Sequence, residues 1–169
     1  MVKIKHVIIA GFAVLFGILA ILHFLPSEEK KVRTQFDLLS RYVSKEPGED
    51  LFSMANRVKN IGRLFTENSE FRIEGDPLYS FSGNYTREEV SGYALRGRTY
   101  FSNLSLKFHD LKIEFPDKAT AKVNLTARLT GESTTGEKVD DTREFDCRLK
   151  KIEKKWLFSR FEVVEVLRR

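Results

Sequence analysis

The sequence contains few of the side chains from which many catalytic and metal sites are built. It has one cysteine, Cys147, and three histidines in 169 residues. A single cysteine excludes an intramolecular disulfide and any metal site made of several cysteines. The sequence also lacks a glycine-rich phosphate loop, zinc-type spacing and a nucleophile elbow. We therefore expect neither a metal ion nor a cofactor.

A strong excess of one charge is missing as well. The formal net charge is +5, and the basic residues are dispersed along the chain. Nucleic-acid binding usually needs a basic patch or stripe. We therefore expect no nucleic-acid partner.

No acidic residue precedes Glu28, and the run from Val7 to Leu25 is apolar except for His23. A helix of this length nearly spans a bilayer core of about 30 Å. Signal peptides have a shorter apolar region and a small-residue cleavage site, which HFLPSEE does not offer. We interpret residues 7–25 as an uncleaved transmembrane anchor that contacts the lipid bilayer. A cleaved signal peptide and a buried helix of a soluble protein are the alternatives.

The anchor divides the chain into four parts, namely a short basic tail at 1–6, the anchor at 7–25, a linker at 26–31 and a folded domain at 32–169. Basic residues flank both sides of the anchor, so counting them does not fix the orientation. Long domains translocate largely regardless of charge. Because a short basic tail is typical of a signal anchor, we expect a single-pass protein of the inner (cytoplasmic) membrane with a periplasmic or extracellular domain.

Three segments of the domain are predicted to be helices. The first has apolar residues at helical spacing, namely Val32, Phe36, Leu39 and Val43. The second has a stripe formed by Leu51, Met54, Ala55, Val58, Ile61 and Phe65. The third begins with a capping box in which Thr86 and Glu89 satisfy each other's backbone N–H groups.

The period changes to two after the third helix, which predicts strands. Alternation changes parity near His109 and Asp110, so we expect a β-bulge there. The polar run from Thr130 to Asp141 is predicted to be a long loop. The last strand begins near Trp156 and has apolar residues on both faces, which is typical of a central, covered strand. One face would carry Trp156, Phe158, Val164 and Val166, and the other Leu157, Phe161, Val163 and Leu167.

Helices that precede a run of hairpins indicate an α+β fold. We predict a curved antiparallel sheet wrapped around the amino-terminal helices like a cone, preceded by one transmembrane helix.

From about Val32 to Leu167, this order of elements resembles the nuclear transport factor 2-like, or SnoaL-like, superfamily. The resemblance lies in the amino-terminal helices followed by FRIEG, in the capped helix TREEVSGYALRGRTYF and in the closing run KKWLFSRFEVVEVL. It implies either an isomerase, dehydratase, cyclase or epoxide hydrolase with polar groups inside the cone, or a non-catalytic binding or assembly domain. Membrane-anchored members include scaffold subunits of bacterial secretion and conjugation machines.

Few residues are candidates for catalysis inside such a cone. His109 is the one histidine outside the anchor region, and alternation turns it away from the core unless the bulge reverses it. Asp110 could point inward, and together with Tyr93 or Tyr100 it would resemble the acid–tyrosine pairing of the family's isomerases. Neither the paired Asp–His set nor the Asp–Arg–Asp set of the family's enzymes has a clear counterpart in the sequence.

Arg160 and Glu162 share one face of the last strand. They either form a structural ion pair or, together with Tyr100, contribute to a ligand pocket.

The missing His–Asp pair favours a membrane-anchored, non-catalytic binding or assembly domain of the bacterial cell envelope. The alternative is a lyase or isomerase that acts on a small organic ligand, and the sequence leaves the choice open. The apolar closing strand predicts a homodimer, or an envelope protein partner, through the sheet face.

Overall fold

A computed structural model of the chain describes residues 27–73 and 81–166. The chain divides into two compact units, Met1–Lys31 and Val32–Arg169. The predicted anchor at 7–25 lies outside the described residues. Within the described ranges, no helix is both long and apolar enough to cross a membrane.

The described elements follow the predicted α+β order. The helices are α1 (Glu28–Val43), α2 (Leu51–Arg63) and α3 (Arg87–Tyr100). The strands are β1 (Phe65–Ile73), β2 (Phe81–Thr86), β3 (Phe101–Asp117), β4 (Thr120–Ser133), β5 (Lys138–Ile152) and β6 (Lys155–Val166). They form one curved, unclosed sheet in the order β2-β1-β6-β5-β4-β3. Because β6 lies between β1 and β5, the predicted central position of the last strand is confirmed.

The predicted purely antiparallel sheet needs one correction. Strands β3 to β6 form an antiparallel meander, and β1 pairs antiparallel with β2. These two parts join where β6 lies beside β1, and that pair is parallel. The sheet is therefore mixed, because β1 and β6 are joined by a long crossover that includes α3 instead of a hairpin.

The first helix packs on the concave face of the sheet, as its stripe predicts. Val32, Phe36 and Leu39 are buried. The ring of Phe36 meets the ring of Phe158 at 4.9 Å and that of Phe108 at 5.3 Å, both edge to face. Such aromatic contacts add to the free energy gained by burying the rings.

The second helix uses only part of its predicted stripe. Val58 and Ile61 are buried, but Leu51 at the helix start is 78% exposed. Further along, α2 approaches α3 closely at Gly62, where a Cβ atom would lie 2.2 Å from Oγ of Ser91. The same Cβ atom would lie 2.9 Å from the backbone carbonyl oxygen of Arg87, so any larger residue would push the two helices apart.

The third helix begins at the predicted capping box. The Glu89 N–H donates to Oγ1 of Thr86 at 3.3 Å, and the Thr86 N–H donates to Oε2 of Glu89 at 2.8 Å. The hydrogen bonds from the backbone and the hydroxyl of Thr86 lower the pKa of Glu89. The cap fixes where α3 begins and so how it lies across the sheet.

The sequence predicts that Phe161 lies on the opposite face of β6 from Trp156 and Phe158, and this prediction is wrong. Leu149 of β5 pairs with Phe158, whereas Cys147 pairs with Phe161, so β6 has one extra residue at this point. This bulge reverses the parity of the strand. Trp156, Phe158 and Phe161 consequently all belong to the same buried core.

Candidate functional site

One half of the concave face is hollow. A cavity of about 520 Å³ lies between α3 and the strands of the meander, and its walls are mainly apolar. The apolar lining includes Phe101, Leu106, Ala127, Leu129, Val139 and Phe145. This volume is within the range of about 300–1,000 Å³ that is usual for small-molecule sites.

The cavity exists because small residues lie where the two layers face each other. Gly97 on α3 and Ala127 on β4 both line it. A Cβ atom added at Gly97 would have no heavy atom within 4 Å. The space between helix and sheet is therefore left unfilled at this point.

Four polar side chains also line the cavity, namely Arg96 and Tyr100 from α3 and Asp141 and Arg143 from β5. Asp141 pairs directly with Leu129 on β4, and Arg143 pairs with Ala127. Residues that are directly opposite each other in antiparallel strands project from the same face of the sheet. The strand register thus directs two charged side chains toward the concave side.

Asp141 and Arg143 form an ion pair. Nε of Arg143 donates to Oδ2 of Asp141 at 2.7 Å. The Arg143 side chain is only 12% exposed, whereas that of Asp141 is 37% exposed. The two residues stand two positions apart on one strand, so the strand itself sets their spacing.

Tyr100 joins the end of α3 to the turn between β4 and β5. Its hydroxyl donates to Oε2 of Glu137 at 2.8 Å, and its carbonyl accepts from the N–H of Thr134 at 2.9 Å. Arg96, one turn earlier, has its guanidinium carbon 5.3 Å from the centre of the Tyr93 ring. These two hydrogen bonds join the carboxyl end of α3, which lines the cavity, to the turn between β4 and β5.

A buried arginine holds the other side of the same helix. Arg98 forms an ion pair with Glu49, and its Nη1 donates to the carbonyls of Tyr42, Val43 and Ser44 at 2.6–3.0 Å. These carbonyls belong to the carboxyl end of α1, where a positive charge is favourable. Arg98 therefore fixes α3 relative to α1 and positions the wall that carries Gly97.

The predicted catalytic residues lie elsewhere. The expected bulge is confirmed by a register shift between His109 and Lys112 and by a left-handed backbone at Asp110, whose φ is 55°. His109 and Asp110 are both exposed. His109 lines a surface groove against α1, whereas the concave cavity has neither residue in its lining.

The remaining predicted site residues separate into two places. Tyr100 lines the cavity, but Tyr93 is exposed on α3 and contacts the ring of Tyr85 edge to face. Arg160 and Glu162 form an ion pair with a distance of 2.6 Å between Nη2 and Oε2, and neither residue lines the cavity. The structure thus brings only Tyr100, among the six predicted residues, to the cavity.

The prediction places Asp141 at the end of a loop, Thr130 to Asp141, and begins the strand alternation only at Glu144 and Phe145, so it gives Arg143 no role. In the structure β4 continues to Ser133 and β5 begins at Lys138. The alternation of Phe145, Cys147 and Leu149 is a signal that could have identified the strand. Extended backward two residues at a time, it reaches Arg143, Asp141 and Val139. Polar composition concealed a regular strand.

Metal and thiol chemistry have little support in the described part of the chain. No group of three or more His, Cys, Asp or Glu there is arranged to hold a metal ion. Cys147 is fully buried, and burial raises its pKa well above the ordinary value. A thiol in that state is a poor nucleophile.

No family model matches this chain. No curated protein matches it either.

Solved structures do match. One is a protein of Novosphingobium aromaticivorans assigned as a scytalone dehydratase, with a TM-score of 0.60 and 17% identity over 80% of this chain and 82% of that one. A second is the hexachlorocyclohexane dehydrochlorinase LinA-type3 of Novosphingobium barchaimii, with a TM-score of 0.65 and 10% identity over 84% and 88%. A third, from Xanthomonas campestris, is assigned as a calcium/calmodulin-dependent protein kinase II association domain, with a TM-score of 0.61 and 14% identity over 81% and 86%. At these identities the likeness shows the fold, and it agrees with the predicted nuclear transport factor 2-like architecture.

Proposed function

We propose that this domain binds a small, mainly apolar organic molecule in the concave cavity and acts on it as a lyase or isomerase. The observation that carries the proposal is the cavity itself, an apolar space of about 520 Å³ whose lining includes one carboxylate, Asp141. Two of the structural neighbours are named for a dehydratase and a dehydrochlorinase, which supports the choice of reaction class.

In the proposed reaction Asp141 is the general base. Its carboxylate accepts a proton from a carbon of the ligand. The released electron pair then forms a double bond as a leaving group departs, or shifts a double bond before the ligand is reprotonated. Arg143 keeps Asp141 in place through their ion pair at 2.7 Å, and the phenol of Tyr100 lines the same space.

Proton abstraction can be tested without knowing the natural substrate. The full-length protein would be incubated in D₂O with a panel of small aromatic and alicyclic ketones, and ¹H NMR would follow exchange at carbons next to the carbonyl. Because a positioned base contributes about 10²–10⁴ in rate, Asp141→Asn should slow any exchange by at least about a hundredfold.

The matched control is Asp140→Asn. Asp140 is the adjacent residue of β5, and it pairs with Arg128 instead of lining the cavity. Ligands that bind without exchange, or equal rates in both variants, would contradict the catalytic role of Asp141.

A membrane-anchored, non-catalytic binding or assembly domain of the bacterial cell envelope is the second candidate. It is favoured by the described cavity lining, which has no histidine and whose one carboxylate is already ion-paired. The neighbour assigned as an association domain supports it as well. The apolar run at 7–25 supports a single pass through the inner membrane, with the domain periplasmic or extracellular. Carbonate extraction and protease protection of the full-length protein in vesicles would test the anchor and the orientation.

Self-association, or docking of an envelope protein, through the sheet face stays a prediction. The outer surface includes ion pairs on β6 and on the β4–β5 pair, namely Arg160–Glu162 and Arg128–Asp140. A contact there would join charged surfaces and weaken as salt increases. Sedimentation of the full-length protein at low and high salt would detect it, and a monomer at both would count against it.

A further inference from the structure

We infer that the cavity selects an anionic ligand, a carboxylate attached to an apolar body. The inference rests on the proposed function, since it presupposes that a small molecule occupies the cavity. It adds the chemical class of that molecule and names Arg143 as the residue that selects it.

The charge of the lining favours an anion. Among the described residues, two arginines, Arg96 and Arg143, and one carboxylate, Asp141, line the same space. Asp141 is paired with Arg143 at 2.7 Å, so its charge is largely compensated. A cationic ligand would meet an excess of positive charge, whereas an anion would neutralise it.

The geometry of Arg143 suits a carboxylate. The hydrogen bond to Asp141 uses Nε, whereas a guanidinium has four further N–H donors on its two Nη atoms. Its planar fork matches a carboxylate group, and such charge-assisted hydrogen bonds are about twice as strong as neutral ones. At 12% exposure the side chain is shielded from water, which strengthens its attraction for a negative charge.

The remaining walls suit an apolar body. Arg96 is exposed on α3 and also lines the cavity, with its guanidinium carbon 5.3 Å from the centre of the Tyr93 ring. Leu106, Ala127 and Phe145 offer carbon surfaces behind the charged groups. A molecule with its carboxylate on Arg143 would therefore bury its apolar part against the sheet.

The experiment compares two probes that have the same body and differ in charge. Isothermal titration calorimetry with the full-length protein would measure binding of 2-naphthoate and of 2-naphthamide. We expect 2-naphthoate to bind at least about tenfold more tightly, because a hydrogen bond to a charged group is worth more than one to a neutral group. Asp141→Asn should strengthen 2-naphthoate binding further, since it removes the one negative charge of the described lining.

Substitutions of the two arginines would show which residue is responsible for the preference for 2-naphthoate. Arg143→Met should abolish the preference for 2-naphthoate with little effect on 2-naphthamide. Arg148→Met is the matched control on the same strand, because Arg148 is exposed and does not line the cavity. Arg96→Met, at an exposed helix position, gives a second test should Arg143→Met fail to fold as judged by circular dichroism.

The outcomes separate the two levels of the proposal. Equal affinity for both probes, or tighter binding of 2-naphthamide, would overturn the anion selectivity and leave the cavity function intact. Absence of binding by both probes at millimolar concentration would overturn the proposed function itself. Selectivity that survives both Arg143→Met and Arg96→Met would overturn the assignment to these arginines.

Discussion

The two halves of the concave face differ although the same strands run through both. In the filled half, α1 contacts β3 and β6 through Phe36, and Phe36, Trp156 and Phe158 are almost completely buried. In the hollow half, Gly97 of α3 and Ala127 of β4 line the cavity. Side-chain size at the contact between helix and sheet decides whether the face becomes a core or a cavity.

The two halves of the concave face also differ in the charged residues that they contain. The filled half of β5 carries Cys147 and Leu149, both fully buried. The hollow half of that strand carries Asp141 and Arg143 on the same face. A charged pair is tolerated there because the open space leaves it partly solvated, whereas charges in the filled half would be costly to desolvate.

The largest effect on stability is expected from removing a large side chain from the filled half. Phe158→Ala removes a ring that contacts the rings of Phe36, Phe65 and Phe161. It should lower the free energy of unfolding by about 3–5 kcal/mol, as measured by chemical denaturation. Phe52→Ala is the matched control, since Phe52 is 82% exposed and its truncation should change stability by less than about 0.5 kcal/mol. Equal losses in both variants would contradict the comparison.

The next effect concerns the ion pair that positions the helix over the hollow half. Arg98→Met leaves the buried Glu49 with Arg57 as its remaining ion-pair partner and frees three carbonyls at the end of α1. Removing one member of a buried pair costs about 3 kcal/mol or more. Denaturation of Arg96→Met, two residues away at an exposed position, gives the control and should show almost no loss. An unchanged stability of Arg98→Met would mean that α3 is positioned by other contacts.

A third test enlarges one alanine in each half. Ala121 and Ala127 both lie on β4 and are buried, but only Ala127 lines the cavity. Ala121→Leu should overpack the filled half and cost about 1–3 kcal/mol. Ala127→Leu should cost less than about 1 kcal/mol, because the added carbons enter empty space, and it should weaken 2-naphthoate binding. Similar losses of stability would show that the hollow half is not open to a larger side chain.

The smallest effect is a pH dependence at the start of α3. Hydrogen bonds from Thr86 lower the pKa of Glu89 below its ordinary value of 4.5. A lowered folded-state pKa contributes stability above the unfolded-state pKa, and that contribution is lost as the pH falls through the folded-state pKa. Glu89→Gln should therefore be less stable than the original protein at pH 7, with the difference shrinking below about pH 4.5.

Glu88→Gln is the control for this change. Glu88 lies in the same first turn but is not the partner of Thr86. Thermal unfolding of both variants between pH 3 and 7 would measure the effect. A stability difference for Glu89→Gln that does not depend on pH would contradict the role of its charge.

Local patterns predicted most of the fold. The stripe of Val32, Phe36 and Leu39, the capping box at Thr86 and the bulge beside His109 each depend on neighbours within a few residues. Such features are encoded by periodicity and by short-range hydrogen bonds. These features can therefore be predicted from the sequence without knowing which distant segments pack against them.

The candidate site was largely missed for a physical reason. Asp141 and Arg143 are polar residues of β5, but polar composition predicts a loop up to Asp141 and the apolar alternation begins only at Phe145. Their register with Leu129 and Ala127 comes from pairing with β4, which the sequence does not display. Strand alternation predicts an inward position for Asp110, yet its backbone at the bulge is left-handed and the residue is exposed.

The sequence by itself determined the α+β order, the central last strand and the scarcity of histidine and cysteine chemistry. Only the tertiary structure decided that β1 and β6 run parallel, that the aromatic residues of β6 share one face, and that a cavity with charged lining opens under α3. Periodicity records which side of its own element a residue occupies. Register, bulges and the sizes of facing side chains depend on segments far apart in the chain, and these decide where space is left for a ligand.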